Sequence, residues 1–156
     1  MSIFESHPEV LPRVMDDALR MTRPQKQGIF EQNPGSPVCG DKAQLGKARC
    51  LSPRQAGMMM LVDDLMHFGM KSPLALRIAE RFMIAVREYP DAPQLTMTVI
   101  QSGAISIQPT DGLNFDSGFI NGGLVSFTMM IDVRNLAARV DTALEKAGQR
   151  RAVANV

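Results

Sequence analysis

The apolar positions of this chain change their period part-way along it. Met58, Leu61, Leu65 and Phe68 recur at three- and four-residue steps, the pattern of a helix buried on one side. Ahead of them Ser52, Pro53 and Gln55 stand as N-cap, first helical residue and reach-back side chain of a capping box. Gly69 stops the run. A second helix is expected from Ser72 as N-cap and Pro73 at its first position, with Leu74, Ile78, Phe82 and Ala85 as its buried stripe. It should end near Tyr89, because Pro90 disfavours helix in the residue before it. From Leu95 the period falls to two. Leu95, Met97 and Val99 alternate with Thr96 and Thr98, Ser102-Gly103 turns the chain, and Ile105 and Ile107 alternate with Ser106 and Gln108, which predicts a β-hairpin. After the loop PTDGLNFDSGFINGG, a third strand places Val125, Phe127, Met129 and Ile131 on one face. Asp132 then caps a last helix through about Ala147, with Leu136, Val140 and Leu144 aligned and Gly148 ending it.

The first 50 residues read differently. SHPEVLPRVMDDALRM predicts a short helix with Ser6 and Glu9 at capping-box spacing, Pro8 in the first turn, and a thin stripe of Leu11, Val14, Ala18 and Met21. The following TRPQKQGIFEQNPGSPVCGDKAQLGKARC has three prolines, four glycines and little periodicity. Such a segment is expected to be an arm that orders only against a partner, with few protected amides over residues 22–50. The division that follows is an arm (1–50), a helix pair with hairpin (51–108), a Gly-rich loop with strand and helix for dimerisation (109–147), with the strand Val125–Ile131 or the last helix expected at the interface, and a tail (148–156). The fold class is α+β.

The length of 156 residues suits one domain with a real core, and 45% hydrophobic with 21% charged residues is ordinary for a globular protein. No apolar run approaches the roughly 20 residues of a membrane span, and MSIFESHPEVLPR lacks a basic start and apolar centre, so a soluble, cytoplasmic protein is expected. The net charge of +1 hides an asymmetry. Residues 20–54 hold Arg20, Arg23, Lys26, Lys42, Lys47, Arg49 and Arg54 against Glu31 and Asp41, whereas residues 1–19 hold Glu5, Glu9, Asp16 and Asp17 against Arg13 alone. A basic segment of this kind suits either a polyanionic partner or a solvated linker.

No catalytic constellation emerges. Asp63-Asp64 and Asp16-Asp17 are adjacent and point about 100° apart on a helix, which rules out a facing dyad. Asp63 and His67 are four apart and suit a surface pair or cap rather than a general base. NFDSG begins like a calcium loop, with Asn114 and Asp116 two apart, but Val125 stands where a bidentate Glu belongs. Cys39, Cys50, His7 and His67 are too scattered for a zinc site, and the cysteines read as free thiols. Neither metal nor cofactor is implied, and the chain is not expected to be an enzyme. Met58, Met59, Met60, Met66, Met70, Met129 and Met130 suit a core, although some should face out and, with Phe68 and Phe127, form a dimer face.

LMHFGMKSPLALRIAERF, from Leu65 to Phe82, resembles the turn and recognition helix of a bacterial helix-turn-helix transcriptional regulator of the MerR-like or winged kind. The likeness lies in Gly69 at the turn, apolar Met70 after it, a capped second helix and inward Ile78, followed by a hairpin placed as a wing is. It covers about residues 51–108. Asp64 and Leu65, five and four positions before the turn glycine, depart from the apolar and small residues of that pattern. The resemblance implies a winged helix-turn-helix that binds duplex DNA as a homodimer through the helix at 72–88. Lys71 and Ser72 would meet phosphate at the helix N-terminus. Arg77 and Arg81, four apart and opposite Ile78 and Phe82, would reach phosphates or guanine edges. The alternatives are an adaptor or structural protein using a Met-rich apolar face, and a small-molecule sensor with a pocket between sheet and last helix.

Overall fold

The computed structural model describes Phe4, residues 9–40 and residues 49–154. Among them are four α-helices and one antiparallel four-stranded sheet, an α+β arrangement. The helices are α1 (Arg23–Gln32), α2 (Pro53–His67), α3 (Ser72–Glu88) and α4 (Val133–Ala154), and the strands are β1 (Gln94–Ile100), β2 (Ile105–Pro109), β3 (Phe119–Ile120) and β4 (Gly123–Asp132). No helix among the described residues is long and apolar enough to cross a membrane.

α2 begins as its sequence dictates. The Ser52 hydroxyl accepts the Gln55 N–H, and the Gln55 side chain accepts the Ser52 N–H at 2.7 Å. Two orphan donors of the first turn are thereby satisfied. Met58, Met59, Met60, Leu61, Val62 and Leu65 are all buried, because the middle of α2 is packed between α3, α4 and the 3₁₀ turn at Pro37–Cys39. Met58, Met59 and Met60 thus belong to the core, Met66, Met70 and Met129 are partly buried, and Met130 on β4 is the methionine of that set that faces out. Phe68, expected in the buried stripe, is 82% exposed at the C-cap of α2.

The buried side of α3 is Ala75, Leu76, Ala79, Phe82, Met83, Ala85 and Val86, so of the expected stripe Phe82 and Ala85 are buried, Ile78 packs partly on the core and Leu74 does not. α3 is apolar enough for two stripes to fit its period. The one chosen buries Ala75 and Ala79, whose small side chains let a neighbouring helix come close. Leu74 is 44% exposed as a result. The first residue of the helix also shifts: Lys71 is the N-cap without a side-chain cap bond, and Ser72 is already helical.

The strands follow the order β2-β1-β4-β3. β1 pairs with β2 through Leu95–Pro109 and Val99–Ile105, and with β4 through Leu95–Ile131 and Val99–Phe127, with a register shift beside Val99 and Ile100. Gly123 opens β4 against the Ile100 side chain, where an added Cβ would fall 2.4 Å from Ile100 Cδ1. Leu95, Met97 and Ile131 join the helices in the core, while Phe127 on the same face is half-exposed. The short β3 falls within the expected loop, and the NFDSG stretch forms a turn in which Asn114 Oδ1 accepts the Asp116 N–H at 2.8 Å. Asp132 does cap α4, through the Asn135 N–H at 2.9 Å, but the helix continues past Gly148.

The largest correction concerns the arm. Val10, Met15, Leu19, Met21, Ile29, Phe30, Val38 and Cys39 are buried in the common core. The segment forms a 3₁₀ turn at Pro12–Met15, the helix α1 and a second 3₁₀ turn at Pro37–Cys39. Val10 and Leu51 exchange backbone hydrogen bonds of 2.7 and 2.8 Å, which ties its start to the entry of α2. Ser6 and Pro8, half of the expected first capping signal, lie outside the described residues. The fully buried positions here are Val10, Met15, Leu19 and Met21, so Met21 is buried as expected while Val14 and Ala18 pack only partly on the core.

Candidate nucleic-acid interface on α3

The junction between α2 and α3 is a complete Schellman turn. Gly69 takes φ +95°, its N–H donates to Met66 O at 2.9 Å, and the Met70 N–H donates to Leu65 O at 3.0 Å. Both orphan carbonyls are satisfied, and Met70 packs on the core where this motif places an apolar contact. The turn delivers the chain to Lys71, whose carbonyl receives the N–H groups of both Leu74 and Ala75 at 3.0 Å. Pro73 has no N–H, so Ser72 supplies the first-turn donor of α3 that no described group takes.

Lys71, Arg77 and Arg81 are exposed and Ser72 is half-exposed, so the four expected site residues lie along the start and outer side of one helix. Neither Arg77 nor Arg81 makes a hydrogen bond or ion pair among the described residues. Glu80, the acid between them in sequence, turns the other way: it is half-buried and accepts the Ser36 hydroxyl at 2.6 Å. The outer side of α3 thus runs Leu74, Arg77, Arg81, Ile84, with Ile84 61% exposed. β1 and β2 lie against α3, and the tip of their hairpin, Gln101 to Ala104, carries no charged side chain.

The basic character of residues 20–54 is largely spent inside the molecule. Arg20 pairs with Asp63 and Asp64, and Arg139 from α4 meets the other Asp64 oxygen at 2.6 Å. Lys26 is buried, with its ammonium on Asp16 and on Pro12 O at 2.7 Å. Arg49 stacks 4.7 Å over the Phe30 ring and donates to Cys39 O at 2.6 Å. Lys42 and Lys47 lie outside the described residues. Asp63, expected to pair with His67, is instead buried and accepts the backbone N–H groups of Arg20 and Met21.

The remaining chemistry is quiet. Burial pushes the Cys39 thiol up, against the opposing pull of the Ser36 hydroxyl and Arg49. The Cys50 thiol is raised too, by desolvation and then by Glu9. Neither cysteine is in a disulfide, and protonated thiols of this kind are poor nucleophiles. Among the described residues, no three His, Cys, Asp or Glu side chains converge as metal ligands would.

Comparisons with protein-family models, with curated proteins and with solved structures give no match to this chain. What can be said of its function therefore comes from its own residues.

Proposed function

We propose that this protein is a DNA-binding transcriptional regulator, a homodimer that reads duplex DNA with α3. The observation that carries the reading is the pair Arg77 and Arg81, four residues apart, exposed and without internal partners, while the intervening Glu80 is held away by Ser36. Two unspent guanidinium groups on one helix face suit phosphate oxygens and the O6/N7 edge of guanine. Lys71 and the Ser72 N–H, at the positive end of α3, suit a phosphate beside them. The exposed Leu74 and Ile84 bracket the arginines and suit thymine methyl groups. The β1–β2 hairpin packs against α3, which suits a wing, although its uncharged tip makes it a spacer rather than a phosphate clamp. One recognition helix reads too few base pairs for useful specificity, which is the reason for a dimer.

The test is a salt titration of binding to random duplex DNA. Log affinity should fall linearly with log salt, with a slope of about −0.9 per phosphate contacted. Binding without salt dependence, or none, overturns the reading. An adaptor is the second reading, favoured by the spacing of Leu74, Arg77, Arg81 and Ile84, which also suits a helix laid into an apolar groove of another protein. In that case Ile84→Asp would abolish partner binding and Arg77→Ala would matter little.

A further inference from the structure

β4 is ten residues long, yet β3 covers only Gly123 and Leu124 of its outer edge. The Val125 N–H also donates to Gly118 O at 2.8 Å on that side, and from Ser126 onward the edge is unpaired among the described residues. Which groups it presents follows from the ladder. The Ile100 N–H bonds to Ala104 O across β2, and Pro93 O accepts the Val133 N–H at 2.9 Å on the β4 side. Alternation along β1 then turns the backbone groups of Phe127, Met129 and Ile131 toward β1. The N–H and C=O groups of Thr128 and Met130 face outward.

This edge is bent by the bulge between Val125 and Phe127 and ends on Asp132, but the stretch between them carries no other protection. Residues 117–131 contain no charge and no proline, and Thr128 and Met130 are exposed. Beside it lies a groove of about 350 Å³ between the end of α2, the start of α4 and β4, with an apolar floor of Leu65, Phe68, Met70, Met129, Ile131 and Leu136 and a rim of Asp64, Asp132 and Asn135. Phe127 stands half-exposed on the groove side of β4, and Phe68 is almost fully exposed at the groove's mouth.

We propose that this edge pairs antiparallel with the same edge of a second copy of the chain, in the register centred on Met129. In that register Thr128 of each copy faces Met130 of the other, and the outward groups of both residues close four backbone hydrogen bonds. Phe127 of each copy falls opposite Ile131 of the other, on the groove side, and fills the other's groove. An identical strand is the fitting occupant for three reasons. The strand is uncharged from Gly123 to Ile131, and in this register each Asp132 falls opposite Ser126 rather than the other Asp132, so the paired strands meet without like-charge repulsion. The register is self-complementary about a twofold axis, as an isologous dimer requires. An aromatic side chain buries about 150–250 Å², so covering the exposed parts of Phe68 and Phe127 in both copies removes roughly 400–650 Å². The paired edge and Met130 add to this, toward the ~1,000 Å² of a stable interface. The inference specifies the dimer named in the preceding subsection but needs no DNA contact.

The test measures the mass of the full chain by light scattering, without DNA, across the micromolar range. The wild type is expected at twice 17.1 kDa. Thr128→Pro removes an outward N–H at a position where an edge strand tolerates proline, and Phe127→Asp places a charge in the groove. Both should give monomers with unchanged circular dichroism. Met129→Cys should form an intermolecular disulfide on mild oxidation, because residues at the twofold axis face each other across a non-hydrogen-bonded pair. A monomeric wild type, or a dimer that persists in both edge variants, overturns the proposal. A dimer in which Met129→Cys fails to cross-link overturns the register. DNA binding by the monomeric variants at raised protein concentration would leave the α3 reading standing, so the two ideas can fail separately.

Discussion

The Asp63 carboxylate accepts the backbone N–H of Met21 at 2.7 Å and that of Arg20 at 3.0 Å, joining positions more than 40 residues apart. Asp63 lies on the enclosed helix α2, so one buried carboxylate pins the segment leading into α1 onto the core. Asp63→Ala should strand both donors and cost about 1–3 kcal/mol for each buried donor left unpaired. Urea denaturation would measure it. Hydrogen exchange should at the same time show faster exchange across α1 than across α2. A loss below about 0.5 kcal/mol, the range of neutral surface changes, would mean that the segment is held by its apolar contacts alone.

Gly69→Ala addresses the Schellman turn. A side chain at φ +95° is strained, so the substitution should destabilise the fold by about 1 kcal/mol, although nothing lies within 4 Å of the added Cβ. The shift belongs in the unfolding midpoint, with the denaturant slope unchanged.

On DNA, the residues of α3 should separate by kind. Lys71→Ala is expected to weaken binding equally on all sequences and reduce the salt slope by about one unit. Arg77→Ala or Arg81→Ala should cost about 1–3 kcal/mol on the preferred site and less on random DNA. Equal losses on both substrates for all three would reduce the site to a charge patch. Folding should be untouched, since all three side chains are exposed.

Cys39 gives the fold a dependence on alkali. Its thiol is raised above the ordinary 9.0 by burial, so the folded chain keeps a proton that the unfolded chain has lost. The stability this contributes is whole below about pH 9 and drains away as pH rises through the folded value. Between pH 8 and pH 10 the wild type should therefore lose more stability than Cys39→Ala. Equal losses in paired urea titrations would count against a buried thiol.

The parts of this fold that could be read in the sequence are those set by short-range chemistry. Ser52 and Gln55 cap α2 because both groups lie within one turn, and the β1–β2 hairpin follows from alternation and a turn that need no distant partner. The same chemistry announces α1: Thr22 and Gln25 form a capping box with the spacing of Ser52 and Gln55, and Pro24 sits in its first turn. That signal is obscured by the low apolar content of α1, whose buried residues are Lys26, Ile29 and Phe30. Asp63 was legible only as a polar residue, because its partners are backbone groups that tertiary folding brings to it. The stripe of α3 could not be chosen locally either, since the decision between Leu74 and Ala75 is made by the helix that packs there. For the arginines, periodicity predicted an exposed face, but only the Ser36–Glu80 bond reveals that their neighbouring acid is withdrawn.

Met58, Met59 and Met60 occupy three successive helical positions, about 100° apart, and each is fully buried. Thioether sulfur is readily converted to the polar sulfoxide, a change that disrupts packed interiors. In the native chain a peroxide molecule has no route to these sulfurs short of opening the whole core, whereas Met130 lies in the open. In a monomeric edge variant, where no second copy covers Met130, oxidation should thus proceed in two phases, a prompt one at Met130 and a slow one at Met58–Met60 paced by unfolding. The inner trio serves as a chemical clock for the rate at which the molecule comes apart, and its first tick is irreversible in practice: a sulfoxide trapped in the centre of α2 blocks the return to the packed state.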